Sequence, residues 1–296
     1  MTLLPANPRA GIPLAFAAFF LFSLMDVAIK WLSAGYPLPQ VVLFNSLMGL
    51  LPLALYAWYR GGLKAVRTRN LPGQVLRALF GLASGYTAFF AYTMMPLADA
   101  YAIMFAAPLF ITALSVPMLG EKVGWRRWTA VLIGFLGVMV MLRPGSGGFD
   151  LALLLPVASA LLYGISVLIV RRMGPVDPSA AFVFHGNLIG VAGSAVLLLF
   201  TGALQIAAAD LPVFLVMGLF NGAAMICIVT AYRVAPAAVV APFQYTQMLW
   251  AVVYGSLIWG DWPHLTVWIG SAIVLASGIY IFHREAVRGG HKERTA

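Results

Sequence analysis

Apolar residues run through this chain in stretches of about twenty, and polar residues collect between the stretches rather than alternating within them. Such segments cover residues 11–32, 39–59, 72–94, 97–119, 126–142, 151–170, 179–201, 211–232, 236–259 and 265–283. A helix needs about 20 apolar residues to cross a hydrocarbon layer about 30 Å thick. The pattern therefore predicts an all-α integral membrane protein with ten transmembrane helices. Proline, glycine or charge marks the breaks, as at Gly35-Tyr36-Pro37, Arg60-Gly61-Gly62, Met95-Pro96, Glu121-Lys122, Arg143-Pro144-Gly145, Gly174-Pro175, Asp210, Pro236 and Asp261-Trp262-Pro263. Transmembrane strands would alternate over about ten residues, and runs such as Ala130 to Leu142 do not.

Composition agrees with the spans. The 296 residues are 62% hydrophobic and 9% charged, with a mean hydropathy of +0.94, against about 25% charged in soluble domains. Cys227 is the single cysteine, so folding owes nothing to internal disulfides. The net charge of +9 resolves into topology. With the N-terminus inside, all of the 18 cations except Lys30 and Arg143 fall on the cytoplasmic side. That bias places both termini in the cytoplasm. It accounts for the basic balance without nucleic acid, which is excluded as a partner. The first segment lacks a small-residue cleavage site and reads as a retained helix.

Sliding the sequence on itself by 140 residues aligns 91–142 with 231–282 without a gap. Ala91/Ala231, Tyr92/Tyr232, Pro96/Pro236, Gly120/Gly260 and Trp128/Trp268 are identical, and Glu121/Asp261 keeps the charge. The expected organisation is a five-helix repeat at 11–142, a second at 151–283, and a basic cytoplasmic tail at 284–296. An odd number of helices per repeat inverts the second in the membrane. Inverted repeats place substrate near the midplane and support alternating access.

The run from Leu97 through Asp99, Tyr101, Phe105 and Pro108 to Phe110, closing on Leu119-Gly120-Glu121, resembles the drug/metabolite transporter superfamily. So does Ala231-Tyr232-Arg233-Val234-Ala235-Pro236 followed by Ala241-Pro242-Phe243-Gln244-Tyr245-Thr246-Gln247. More narrowly, the chain resembles the EamA family, built from two EamA repeats. The resemblance implies a secondary transporter moving a small organic metabolite across the bacterial inner membrane. Export of an amino acid-like, aromatic or cationic compound is the favoured direction. The alternative is an uptake permease for a vitamin or nucleoside-like metabolite such as riboflavin or S-adenosylmethionine. One departure is that Pro108 pairs with Met248, while the second repeat carries its proline earlier, at Pro242.

Charge is scarce inside the spans, which shortens the list of candidate site residues. Asp26 alone among the nine acidic residues sits well within one. It reads either as a substrate and proton-coupling site or as half of a local ion pair with Lys30, one turn later. Gln244 and Gln247 share a helix face beside Tyr245 and Trp250; they can hydrogen-bond substrate or join helices. The 140-residue offset pairs Phe105 with Tyr245, Phe110 with Trp250, and Asn45 with His185. Aromatic walls suit planar or cationic organic molecules. Tyr86 completes the substrate-binding candidates, and Pro108 and Pro242 are the gating or hinge candidates. Gly81-Leu82-Ala83-Ser84-Gly85 and Gly218-Leu219-Phe220-Asn221-Gly222 allow close helix approach in equivalent helices. No spacing suggests a metal, a cofactor or a catalytic constellation, so the chain is expected not to be an enzyme. An intramembrane enzyme or a structural membrane subunit is the reading from another class. The expected partners are a small-molecule substrate and the lipid bilayer, with a homodimer compatible.

Overall fold

The computed structural model describes residues 8–59, 62–121, 123–142, 151–173, 177–235 and 237–293. The breaks expected at Arg60-Gly61, Arg143-Pro144-Gly145, Gly174-Pro175 and Pro236 lie outside these residues, as do the topology cations Arg60, Lys122, Arg143 and Arg294. Among the described residues there are helices and no strands: α1 (Pro8–Leu32), α2 (Leu38–Tyr59), α3 (Leu71–Met94), α4 (Leu97–Met104), α5 (Ala107–Leu119), α6 (Trp125–Leu142), α7 (Leu154–Met173), α8 (Ser179–Thr201), α9 (Leu211–Val234), α10 (Ala237–Val240), α11 (Thr246–Tyr254) and α12 (Leu265–Glu293).

Among the described residues, eight helical stretches are long and apolar enough to cross a membrane, with α4 and α5 forming one of them, Leu97–Leu119. The apolar part of α12, Leu265–Ile281, is shorter. The stretch expected as a ninth helix is divided into α10, a 3₁₀ turn Ala241–Tyr245, α11 and a π turn Gly255–Trp259. α12 continues to Glu293, so most of the segment expected as a tail is helical.

Local chemistry sets the boundaries. Asn70 caps α3 by accepting from the Gly73 N–H at 3.0 Å, and Pro72 occupies the first turn, where its missing donor does no harm. α5 and the π turn after α11 both end on a glycine in the left-handed region, Gly120 at φ 69° and Gly260 at φ 70°, which residues with a Cβ adopt only at a cost. The next residue's N–H turns back onto a helix carbonyl each time, Glu121 to Ser115 at 3.3 Å and Asp261 to Gly255 at 3.0 Å. The repeated Gly-acid pair is thus one turn built twice.

Packing follows the repeat. α1 lies along α9 and α3 along α7, and exchanging the repeats converts one pair into the other. α2 packs on α8 and α6 on α12, each against its own counterpart. The loops are tied across the repeats as well. Tyr36 donates to the Asp210 carboxylate at 2.7 Å, and Gln40 exchanges two hydrogen bonds with the Leu204 backbone at 2.8 and 2.9 Å. On the equivalent loops, Asp177 accepts from the Thr68 hydroxyl, from the Arg69 N–H at 2.8 Å and from the Gln74 amide at 2.8 Å. Desolvation pushes the Asp177 carboxyl up, but these donors outweigh it and hold the group below its usual value. A depressed folded-state pKa stabilises the fold above the unfolded value of about 4 and is lost on acidification. Thermal midpoints measured across that range are expected to fall more steeply with acid in the parent than in Asp177→Asn.

Candidate binding cavity

Both long segments that follow the third helix of a repeat are broken, and at matching points. α4 ends at Met104, Phe105 and Ala106 make the turn, and Pro108 stands in the first turn of α5. Proline has no N–H to offer the Met104 carbonyl four residues back. In the second repeat the 3₁₀ turn has Pro242 as its second residue and hands over to α11 between Tyr245 and Thr246. At the 140-residue offset these coincide with Phe105 and Ala106, although the prolines themselves do not coincide. Discontinuous helices at matching positions in two repeats mark where membrane carriers assemble ligand sites, because irregular backbone in a membrane must face protein or a cavity.

A cavity of about 400 Å³ lies there. α1 contributes Phe19, Phe22 and Asp26, and α3 contributes Ser84 and Tyr92. Tyr101, Met104, Phe105 and Ala107 come from the α4–α5 break, and Gln244 and Gln247 from the second break. α7 adds Ser159, Ala160 and Tyr163, and α9 adds Met225, Ile228 and Tyr232. Four pairs at the offset have both members in this lining: Phe19/Ser159, Tyr92/Tyr232, Met104/Gln244 and Ala107/Gln247. Equivalent positions of the two halves therefore meet in the cavity while its chemistry stays unequal. At three of the four pairs the first repeat offers an apolar side chain and the second a hydroxyl or an amide.

Asp26 is 4% exposed. Tyr101 donates to its Oδ2 at 2.5 Å, and the neighbouring Tyr92 hydroxyl donates to the Met104 sulfur at 3.9 Å. The two tyrosine rings meet edge to face at 5.7 Å, and Tyr101 stacks on Phe105 at 6.5 Å. The local Asp26–Lys30 pair considered from sequence does not form. Lys30 reaches instead to the Met95 carbonyl at 3.1 Å and to Asp261 at 3.2 Å. Ser84 and Ser159 each donate to the other's backbone carbonyl, at 2.9 and 3.0 Å, holding α3 against α7 at the cavity wall.

Of the candidates named from sequence, Asp26, Phe105, Gln244 and Gln247 meet in this lining. Tyr245 stands behind Phe105, edge to face at 5.1 Å. Trp250 packs on Phe20 and Phe16 of α1 at 4.9 and 6.0 Å. The Tyr86 hydroxyl pairs with Ser194 of α8 at 2.7 Å. The Asn45 carbonyl accepts from Asn221 at 3.4 Å in the α2–α9 seam. His185 pairs through Nδ1 with the Ala181 carbonyl of its own helix at 2.8 Å. The Asn45 contact is through its backbone oxygen, and none of these four residues lines the cavity. Tyr92, Tyr101, Ser159 and Tyr232 line it without having been singled out. The repeated Tyr92/Tyr232 identity was the available signal for two of them. Among the described residues no three His, Cys, Asp or Glu side chains converge. The lining can stack a flat ring, hydrogen-bond its edge with amides, and present one carboxylate.

A family model, the EamA-like transporter family, matches residues 9–143 and again 150–282. The chain is 33% identical over 295 residues to a riboflavin transporter of Rhizobium johnstonii, covering 96% of this chain and 94% of that one. It is 24% identical over 273 residues to an S-adenosylmethionine uptake transporter of Rickettsia prowazekii, covering 89% of each. A solved crystal structure superposes with a TM-score of 0.65 at 18% identity, over 93% of this chain and 98% of the other, which establishes a shared fold.

Proposed function

The chain belongs to the EamA-like transporter family, and from that premise we propose that it moves a flat, hydrogen-bonding heteroaromatic metabolite through the cavity between its two broken segments. Its relatives are small-molecule transporters, and this is a membrane transport protein. The finer reading covers ten spans, an inverted second repeat, both termini on the cytoplasmic face of a bacterial inner membrane, and alternating access. The distribution of cations supports that orientation, and the exchange of α1–α9 for α7–α3 packing supports a pseudo-twofold between the repeats. Alternating access works in either direction, and the gradient sets the sign. Export therefore forms no part of this reading.

The observation that carries the substrate class is the unequal lining. The first repeat brings Phe19, Met104 and Phe105 to the cavity beside Asp26 and Tyr101, and the second brings Ser159, Gln244 and Gln247. An aliphatic amino acid would leave the aromatic rings unstacked, and a flat hydrocarbon would leave the half-buried amides without partners, at about 1–3 kcal/mol each where the ligand desolvates them. A ring system with apolar faces and a carbonyl or imide edge satisfies both. Riboflavin and S-adenosylmethionine serve as probes, with leucine as the aliphatic control. A bound ligand raises apparent stability by mass action, so riboflavin is expected to raise the thermal midpoint of the purified protein and leucine to leave it unchanged.

Gln244→Ala and Gln247→Ala should each weaken riboflavin binding about five- to tenfold, the scale of one hydrogen bond to a cavity amide. The same substitutions should shift the midpoint of the unliganded protein little. Affinities within a factor of two of the parent would move the pocket elsewhere.

A further inference from the structure

Among the described residues, two ion pairs, Lys30–Asp261 and Arg171–Glu121, lie outside the cavity, and neither is local in sequence. Lys30, at the end of α1, meets Asp261 in the turn after α11 at 3.2 Å. Its ammonium also donates to the Met95 carbonyl at 3.1 Å and lies 4.8 Å from the Trp259 ring. Arg171, at the end of α7, meets Glu121 in the turn after α5 at 2.5 Å. These are the same contact made twice. The acids are offset counterparts on the two Gly-acid turns, and the cations close the first helix of each repeat. Each pair joins one repeat to the other, and each repeat gives one cation and one anion.

The pairs lie at opposite ends of the bundle. Met95 closes α3 beside Lys30, and α4–α5 then leads away from that face to Glu121. That segment, Leu97–Leu119, is 23 residues, or about 34 Å of helix. By the distribution of cations, Lys30–Asp261 is on the outer face and Glu121–Arg171 on the cytoplasmic face. Their surroundings differ. The outer pair is the more enclosed, with side chains 13% and 28% exposed against 41% and 31% for the inner one. Lys30 also has the extra carbonyl and the indole.

We propose that Lys30–Asp261 and Glu121–Arg171 are the outer and inner gates of the transport cycle, each closing its own face of the cavity and breaking when that face opens. The proposal rests on the alternating-access reading above. A contact between repeats at one end resists opening at that end alone. Neutralising one pair therefore shifts the population toward the state open on its own side, by as much as that pair contributes. A merely structural pair has no such sidedness.

The test uses the full-length protein in proteoliposomes of known orientation, with Cys227→Ser and one reporter, Ala160→Cys, in the cavity wall. A membrane-impermeant maleimide is applied from one face at a time. Lys30→Gln should raise labelling from the outer face about fivefold, the scale of one partly buried ion pair, and lower it from the inner face. Arg171→Gln should do the reverse. The charge exchange Lys30→Glu with Asp261→Lys should restore the parental pattern that either reversal alone disturbs. If both neutralised variants change labelling on the same side, or the exchange restores nothing while the protein still folds and binds riboflavin, the gate assignment is wrong and the transporter reading stands. If the parent carries no substrate at all, the transporter reading fails whatever the labelling shows.

Discussion

Asp26→Asn is expected to lower riboflavin flux in proteoliposomes about ten- to a hundredfold while the protein keeps its fold. The carboxylate is buried, lines the cavity and accepts from Tyr101 at 2.5 Å. Asparagine preserves the shape and one acceptor but places an NH₂ among tyrosine hydroxyls and removes the charge. An unmatched polar group in such a site loses about 1–3 kcal/mol, which converts to that range. A carboxylate within the membrane-spanning part of a carrier is retained for function far more often than for packing, because burying it is expensive. The substitution also separates two roles. If Asp26 exchanges a proton as the cavity changes sides, Asp26→Asn abolishes the response of net accumulation to an imposed pH gradient and leaves part of the counterflow, which moves no net proton. If Asp26 only holds substrate, both fall together. Flux within a factor of two of the parent would remove Asp26 from the site.

The second large effect is structural, and it separates two glycine motifs that look equivalent on paper. A Cβ placed on Gly222 would stand 2.6 Å from the Gly49 carbonyl oxygen of α2 and 2.8 Å from Pro52. One on Gly218 would overlap Met48 and approach the Asn45 carbonyl at 3.1 Å. Backbone cannot yield as a side-chain tip can, so α2 and α9 would have to separate. Gly81 meets only the Ser166 hydroxyl, at 3.7 Å, and Gly85 only Phe89 of its own helix, at 3.6 Å. Overpacking a helix crossing typically costs about 1–3 kcal/mol and sometimes more, and about 3 kcal/mol corresponds to roughly 6–9 °C in a chain this large. Gly222→Val should therefore lower the thermal midpoint by that amount. Gly81→Ala should leave it unchanged or raise it slightly, because alanine is the better helix former. Equal losses from the two substitutions would contradict the packing described.

Eight of the spans were legible because runs of twenty apolar residues have one physical meaning, and the Gly-acid turns because positive φ and a helix stop leave a mark in the residue type. The breaks were half legible. Proline signalled both, but only the folded chain shows that Pro108 and Pro242 produce discontinuities at equivalent points from different positions. In the cavity, Asp26, Gln244 and Gln247 stood out by polarity and Phe105 by its offset partner. Asn45, Tyr86, His185 and Trp250 stood out for the same reasons yet lie outside the lining: Tyr86 pairs with Ser194 of another helix, His185 with a carbonyl of its own helix, and Trp250 packs on rings of α1. Tyr101 was part of the run that carries the family resemblance but not a site candidate, and Ser159 was hidden among apolar residues, where nothing local says which face of the helix meets the ligand. Lys30 was misleading. The one-turn spacing from Asp26 favours a local pair, but Tyr101 takes the carboxylate, and a partner 231 residues away takes the ammonium.

The central claim is that the cavity between the two broken segments carries a flat heteroaromatic metabolite across the membrane. Counterflow of labelled riboflavin into proteoliposomes loaded with unlabelled riboflavin measures this most directly, with leucine-loaded vesicles and Asp26→Asn as references. The account predicts a transient accumulation that needs internal riboflavin, is absent with internal leucine and falls at least about tenfold in Asp26→Asn. Equal accumulation whatever the internal solute, or none from protein shown to be folded, would contradict it.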